Sequence, residues 1–600
     1  MNDISQDDPL RASTLLTEPN PLHVFQDNPL RARTSLTEPR PLRICFPVLL
    51  DGDLVMSSEH LGVSYLTSTM RLAGAKCKIT EVRATNGGDA AAIQEIVEWR
   101  PDIVGMSLTT VTVSHATEFG HSLRESLGDD VYFLAGGPLA TFLDKELITN
   151  PAWRFLDGLV RGDGDIPLIR FAETWWNKGK LADVPNLTWR DGEGRIHINT
   201  MAPPLADLDM LPEPARDQFE QNNRRLPYLR LATTRGCTSR CTFCNAPHAG
   251  NKIQPGKLWR ARTPKLIVDE IERLYHKYRF NTFDFVDSTF EDPGGVPFAK
   301  ERVRNIAEEI IKRGLRIYYN VCMQAKNWSE ADKDLIDILY RSGLEKVLIG
   351  VESGSSIGLN WWKKKSTVDD NKRAIQLLWD AGIYVAFGFI AFHPWSTFGE
   401  IRENNRFLRD MMGHNLRRFT VRLELYPGAE VISTLRDDGM LEGAFDSTLN
   451  PLAYRFHDPR VERLSDACAL LYGDRYRDEG VIEKEPAVFE FETYDVVLHT
   501  YISRLRRHFL DHAIASEIIS QTDQEAEQIR NSMSAFNFDL VSDLVDRTEN
   551  ETLSDDYVRS LRLRVEEFFA ARIKEFKSLQ LQTSMKLHRE GLSIKGIQFS

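Results

Sequence analysis

Three cysteines within one short segment define the chemistry this chain can do. Cys237, Cys241 and Cys244 stand in Cys237-Thr-Ser-Arg-Cys241-Thr-Phe-Cys244, entered through Thr233-Thr-Arg-Gly236. Thiolates are soft ligands that favour zinc or iron–sulfur clusters over hard cations. Three of them leave one coordination position open, as a catalytic site requires; on a cubane of four irons, one iron stays available to another ligand. A closed zinc tetrahedron is the alternative, with His248 as a fourth ligand after Cys244. Phe243 gives the loop an apolar wall, and the preceding Leu229-Arg-Leu-Ala-Thr233 reads as a strand. The loop then sits at a strand's C-terminal end.

Composition narrows what surrounds this loop. The 600 residues carry 75 Lys and Arg against 87 Asp and Glu, a net charge of −12. No basic stripe marks a nucleic-acid footprint. No apolar run reaches membrane-span length, and no signal-peptide pattern opens the chain. Cys45, Cys77, Cys322 and Cys468 are scattered singly, which is not a disulfide framework. The expected compartment is the reducing cytoplasm.

The elements that must position the loop read as three units. Residues 1–40 form a polar leader in which Asp7-Asp-Pro-Leu-Arg-Ala12 returns as Asp27-Asn-Pro-Leu-Arg-Ala32, and disorder is expected there. Residues 41–200 alternate strands and helices at lengths that predict a doubly wound, Rossmann-like parallel sheet. Such sheets bind ligands beyond the carboxyl ends of their strands, here Asp51–Gly62, Ser107–Thr109 and Gly136–Gly137. Residues 201–226 read as a proline-rich linker. Residues 227–436 alternate again; six βα units predict a partial (β/α)6 TIM barrel, whose reactive face is its strands' C-terminal end. Residues 437–600 read as a helical domain, either a cap that walls the cavity or a partner surface.

The cysteine loop, with its aromatic residue before the last cysteine, resembles the cluster motif of the radical S-adenosylmethionine (radical SAM) superfamily. There, three cysteines hold a 4Fe-4S cluster whose open iron is chelated by S-adenosylmethionine. Downstream, Asp284-Phe-Val-Asp287, Gly350-Val-Glu-Ser-Gly354, the segment ending His393-Pro394 and Tyr426-Pro-Gly428 resemble that family's strand ends in order. The resemblance implies that Glu352 and Ser353 meet the cofactor's ribose or methionyl part. It places Phe389 near its adenine and Phe243 in the same S-adenosylmethionine site. Residues 41–200 resemble a cobalamin-binding domain, implying contacts from Leu61, Gly62, Ser107, Thr109, Gly136 and Gly137. Many such domains carry Asp-x-His-x-x-Gly, whose histidine ligates cobalt. Ser58-Glu-His60-Leu-Gly62 lacks the aspartate and is one residue short, so His60 is expected not to ligate.

The resemblance implies a cobalamin-dependent radical SAM enzyme, most often a C-methyltransferase of natural-product biosynthesis. An alkyl carbon–hydrogen bond is not acidic enough for a protein base, so the cofactors carry the chemistry and no side chain is assigned as catalyst. The implied route uses a 5′-deoxyadenosyl radical to activate the substrate and methylcobalamin to supply methyl. The implied partners are a small-molecule or peptide substrate and an external one-electron donor such as flavodoxin or ferredoxin, with neither nucleic acid nor membrane. The alternatives are rearrangement or cyclisation, non-radical methylation of an aromatic carbon such as an indole's, and, outside catalysis, a cobalamin-binding sensor.

Overall fold

The computed structural model describes residues 29–30, 32, 35–50, 59–83, 88–110, 112–221, 227–246, 254–293, 300–411, 414–443, 453–472 and 487–594. His248 and the leader's first repeat copy lie outside them. The second copy departs from a disordered leader: Leu30 and Leu36 are buried in the core of the first sheet.

That sheet has seven strands in the order β2-β1-β3-β4-β5-β6-β7. They are β1 Arg43–Leu50, β2 Lys76–Arg83, β3 Ile103–Ser107, β4 Tyr132–Gly136, β5 Gly158–Val160, β6 Leu187–Arg190 and β7 Ile196–Ile198. The first five are parallel and the last two antiparallel. Seven of the eight residues of β1 are buried, as expected where helices cover both faces and the strand cannot alternate. Strand order reverses between β1 and β3, which opens a crevice at their carboxyl ends.

The second sheet holds β8 Leu229–Leu231, β11 Thr282–Phe285, β12 Tyr318–Met323, β13 Leu344–Glu352 and β14 Tyr384–Phe389, all parallel, in the order β14-β13-β12-β11-β8. The sixth barrel position, expected as a strand at 418–425, is one parallel bridge between Phe392 and Arg422. A 3-10 turn at Leu416–Phe419 takes up the start of that segment. A short hairpin, β9 Thr234–Gly236 with β10 Trp259–Ala261, flanks the cysteine loop.

The helices Pro459–Tyr472, Ala487–His508, Ala513–Glu549 and Asp555–Arg589 form the C-terminal unit. It is fastened at the N-terminal ends of the barrel strands. Arg504 donates twice to Glu345 at 2.7 Å, and Asp495 accepts from Tyr384, His414 and Arg530 at 2.8 Å each. Both attachments lie opposite the barrel's mouth. Among the described residues none beyond Ser288 lines the cavity at that mouth, so the helical unit buttresses the barrel instead of walling that cavity.

Candidate active site

The cysteine loop is held from three sides. Gly236 has φ +90, and a Cβ there would meet the Leu258 carbonyl oxygen at 1.9 Å, so only glycine makes this turn. Upstream, the Asp287 carboxylate at the end of β11 accepts from the backbone N–H groups of Thr233 and Thr234 at 2.8 Å, and from the Thr233 hydroxyl. Burial pushes the Asp287 carboxyl up to about 6 against those hydrogen bonds. Downstream, Thr242 donates to the carbonyls of Trp361 and Trp362, and its own carbonyl accepts from Val431 at 2.9 Å. Phe243 meets Trp362 edge-on at 5.6 Å.

Cys237 and Cys241 are buried and Cys244 is half-buried, all as free thiols. Burial pushes the Cys241 thiol up to about 11, and neighbouring Cys244 and Cys237 act in the same direction. Cys237 Sγ accepts from Ser239 N–H at 3.4 Å and from Gln324 Nε2 at 3.9 Å. The Gln324 backbone N–H in turn donates to buried Glu291 at 2.7 Å. Three adjoining soft donors on one constrained loop, with N–H groups aimed at sulfur, fit an iron–sulfur cluster. Among the described residues no three His, Cys, Asp or Glu groups are gathered around a single-ion position.

At the barrel mouth, β13 ends in a register shift between Gly350 and Glu352, and Glu352 has φ +66. This bulge re-aims the side chain across the strand ends. A Cβ on Gly350 or on Gly388 would come within 2.9 Å of the Glu352 carboxylate, so both glycines make room for it. Lys364 Nζ lies 3.7 Å away. Lys364, the middle residue of the run Lys363-Lys-Lys365, is thus turned toward the site and only 12% exposed. Ser353 departs from expectation: its hydroxyl donates to Asn404 at 3.0 Å and accepts from Ser355 N–H, which ties it to the turn. Phe389 is buried in the barrel core, where its ring stacks on Phe407 at 6.1 Å. His393 is buried, with Glu400 at 3.1 Å and the Trp362 ring edge-on at 5.1 Å.

A cavity of about 600 Å³ lies between the crevice of the first sheet and the barrel mouth. Leu61, Gly62, Ser107, Gly136 and Gly137 line it. Gly137 has φ +92, and a Cβ there would meet the Leu108 carbonyl oxygen at 2.9 Å. Thr109 is not in the wall; its hydroxyl pairs with Thr112 at 3.1 Å at the start of the helix Val113–Leu127. His60 caps the helix Leu61–Leu72, its Nδ1 accepting from Val63 N–H at 3.2 Å. A neutral ring that accepts at Nδ1 carries its proton on Nε2 and has no lone pair there for cobalt. Tyr65 also lines the cavity, and its buried hydroxyl has no hydrogen-bond partner among the described residues. An apolar crevice with glycine backbone and an orphaned hydroxyl fits a large planar cofactor with polar edges.

Ion pairs fasten the junction beside the cavity. Arg235, inside the entry to the cysteine loop, meets Asp165 at 2.5 Å, and Arg260 meets Asp163 at 2.9 Å. Arg216 of the linker is buried between Glu59 and Glu270, and Arg262 meets Glu270 at 2.6 Å. Sequence reading did not single out these arginines. The available signal was the acidic Arg161-Gly-Asp-Gly-Asp165 stretch facing an arginine beside the cysteine loop's glycine.

Comparison with known proteins agrees with this architecture. The B12 binding domain model matches residues 52–172, and the radical SAM superfamily model matches residues 231–408. The chain thus carries a B12 binding domain followed by a radical SAM domain, and these two domains bring a 4Fe-4S cluster, S-adenosylmethionine and cobalamin. It is 27% identical over 362 residues to the anaerobic magnesium-protoporphyrin IX monomethyl ester cyclase of Rubrivivax gelatinosus, covering 58% of this chain and 61% of that protein. It is 25% identical over 346 residues to the hopanoid C-3 methylase of Methylococcus capsulatus, covering 56% and 62%. The chain thus spans about three fifths of these relatives' length. The solved structure of the cobalamin-dependent S-adenosylmethionine radical enzyme OxsB, with aqua-cobalamin and S-adenosylmethionine bound, matches at TM-score 0.62 and 18% identity. That match covers 89% of this chain and 84% of OxsB and shares the fold.

Proposed function

We propose that this enzyme moves a methyl group from S-adenosylmethionine to a carbon centre of a small-molecule or peptide intermediate in specialised biosynthesis. The observation that carries the reading is the shared cavity: strand ends of the first sheet, and Arg235, Gly236, Asn245 and Ala246 around the cysteine loop, line one cavity. A heteroatom acceptor could attack the sulfonium methyl directly once oriented, so two such cofactors on one cavity suit a poor nucleophile. When bound, the cluster supplies an electron to S-adenosylmethionine, and cobalamin supplies a methyl carrier.

In this reading Cys237, Cys241 and Cys244 hold the cluster and Glu352 receives the cofactor's ribose hydroxyls or ammonium. A carboxylate accepts two hydrogen bonds at once, which suits vicinal hydroxyls. Leu61, Gly62, Ser107, Gly136 and Gly137 cradle cobalamin, and the ion pairs at Asp163 and Asp165 keep the two faces together. Units at 41–200, 227–436 and 437–600, a soluble cytoplasmic setting and an external one-electron donor belong to the same proposal.

The named cyclase relative favours a second reading, rearrangement or cyclisation at the same site. Anaerobic turnover with reductant, methyl-labelled S-adenosylmethionine and a panel of acceptors, read by mass spectrometry, separates the two. Label on a product carbon supports methyl transfer. Product without label, formed together with 5′-deoxyadenosine, supports the second reading.

A further inference from the structure

The chain is acidic, with a net charge of −12, yet the described surface beside the cysteine loop is cationic. Lys326, Lys363, Lys364 and Lys365 share the wall of a small recess with Ser239 and Cys241. Arg240, exposed, precedes Cys241 directly. Only Lys364 turns inward, 12% exposed beside Glu352. Lys363 meets Glu430 at 2.5 Å and is otherwise open to solvent. Lys326, Lys365 and Arg240 are exposed, and none has a carboxylate within ion-pair distance among the described residues. One lysine therefore serves the site's interior, and the outer cations are surplus to it. Gathering like charges on a small patch costs energy unless an anionic surface covers it.

We propose that Arg240, Lys326, Lys363 and Lys365 form the docking face for a small acidic one-electron carrier protein. The carrier gives its electron to the cluster through the Ser239–Cys241 wall: it is oxidised by one electron, the cluster is reduced by one, and no covalent bond changes. This rests on the reading that the cysteine triplet holds the cluster. Net repulsion between two acidic proteins combined with local attraction at one patch selects a single orientation, which is the use of such patches in encounter. The recess brings that orientation to the loop's surface, where Cys241 is 8% exposed.

The test is anaerobic stopped-flow reduction of the reconstituted full-length enzyme, followed by bleaching of the cluster's visible absorption. Reduced flavodoxin and reduced methyl viologen serve as donors to the wild type and to Lys326→Glu/Lys365→Glu. Lys145→Glu, an exposed change on the first domain, is the control. The expected result is a flavodoxin rate that falls with added salt in the wild type and is about ten-fold slower or more in the double variant. Viologen rates should not fall, and the control should match the wild type. Equal flavodoxin rates in wild type and double variant would overturn the proposal. So would an equal loss with viologen, since the lysines would then serve the cluster or S-adenosylmethionine. A wild-type protein that assembles no absorbing cluster would instead remove the reading beneath it.

Discussion

Arg235 and Asp165 form a 2.5 Å ion pair that joins the cysteine loop of the barrel to the helix following β5 in the first domain. Asp165 is nearly fully buried, so removing its partner strands a carboxylate in the junction. Arg235→Ala is expected to destabilise the protein by about 3 kcal/mol. It should also release bound cobalamin faster, because Arg235 lines the shared cavity. Thermal melting of the apo chain and cobalamin retention on gel filtration check the two effects. Unchanged values in both would make the pair a bystander.

Asp287 gives a prediction in pH. Its folded-state carboxyl is pushed up to about 6 by burial, above the ordinary value of about 4 in an unfolded chain. Between those values the folded state holds the extra proton. This group's contribution to stability is therefore largest below about 4 and falls as pH rises through about 6. Asp287→Asn should flatten that part of the stability profile while its oxygen still accepts from Thr233 and Thr234. Asp287→Ala orphans those N–H groups, should cost about 2–3 kcal/mol and should lower iron retention. Denaturant titrations across pH 4–7 with iron analysis read all three proteins.

Glu352→Ala should weaken S-adenosylmethionine binding by about ten-fold or more and leave iron content intact, because a hydrogen bond to a charged acceptor is worth about 1.5–3 kcal/mol. Gly388→Ala should weaken binding as well, since its Cβ would press on the same carboxylate from 2.9 Å. Equilibrium binding with the reconstituted protein decides. Unchanged affinity in Glu352→Ala would return that side chain to a structural role in the bulge.

The lower face of cobalt should carry no protein nitrogen from His60. The ring's Nδ1 is occupied by Val63 N–H in capping its helix. Electron paramagnetic resonance of the cob(II)alamin form should show no nitrogen superhyperfine splitting from a protein ligand. A splitting that disappears in His60→Ala would contradict this.

The cysteine loop, the parallel sheets and the helical C-terminus were legible because each rests on local signals: thiol spacing, apolar runs between helical periods, and long amphipathic repeats. Residues whose roles depend on tertiary neighbours were not. Ser353 and Phe389 sit in matching motif segments, yet their side chains pair with Asn404 and Phe407 on another helix. Lys364 reads as one of three solvated lysines until the bulge at Glu352 brings a carboxylate within 3.7 Å. Thr109 sits beside a cavity-lining serine, but Thr112 claims its hydroxyl. The sixth strand failed to form beyond one bridge for a similar reason: the apolar pattern at 418–425 packs as an irregular segment against the barrel edge. Arg235 and Arg260 pair with carboxylates 70 and 97 residues away in sequence, so no local spacing gives their partners.

The central claim is that both cofactors act on one methyl group in one cavity. The most direct measurement needs no substrate: anaerobic enzyme carrying reduced cobalamin is mixed with S-adenosylmethionine bearing a deuterated methyl group, and the protein-bound corrinoid is analysed by mass spectrometry. The account predicts deuterated methyl in the cobalamin fraction, with one S-adenosylhomocysteine released for each label, and loss of that label transfer when Arg235→Ala opens the junction. Cobalamin that stays unmethylated in the wild type, while S-adenosylmethionine is cleaved to 5′-deoxyadenosine, would contradict it.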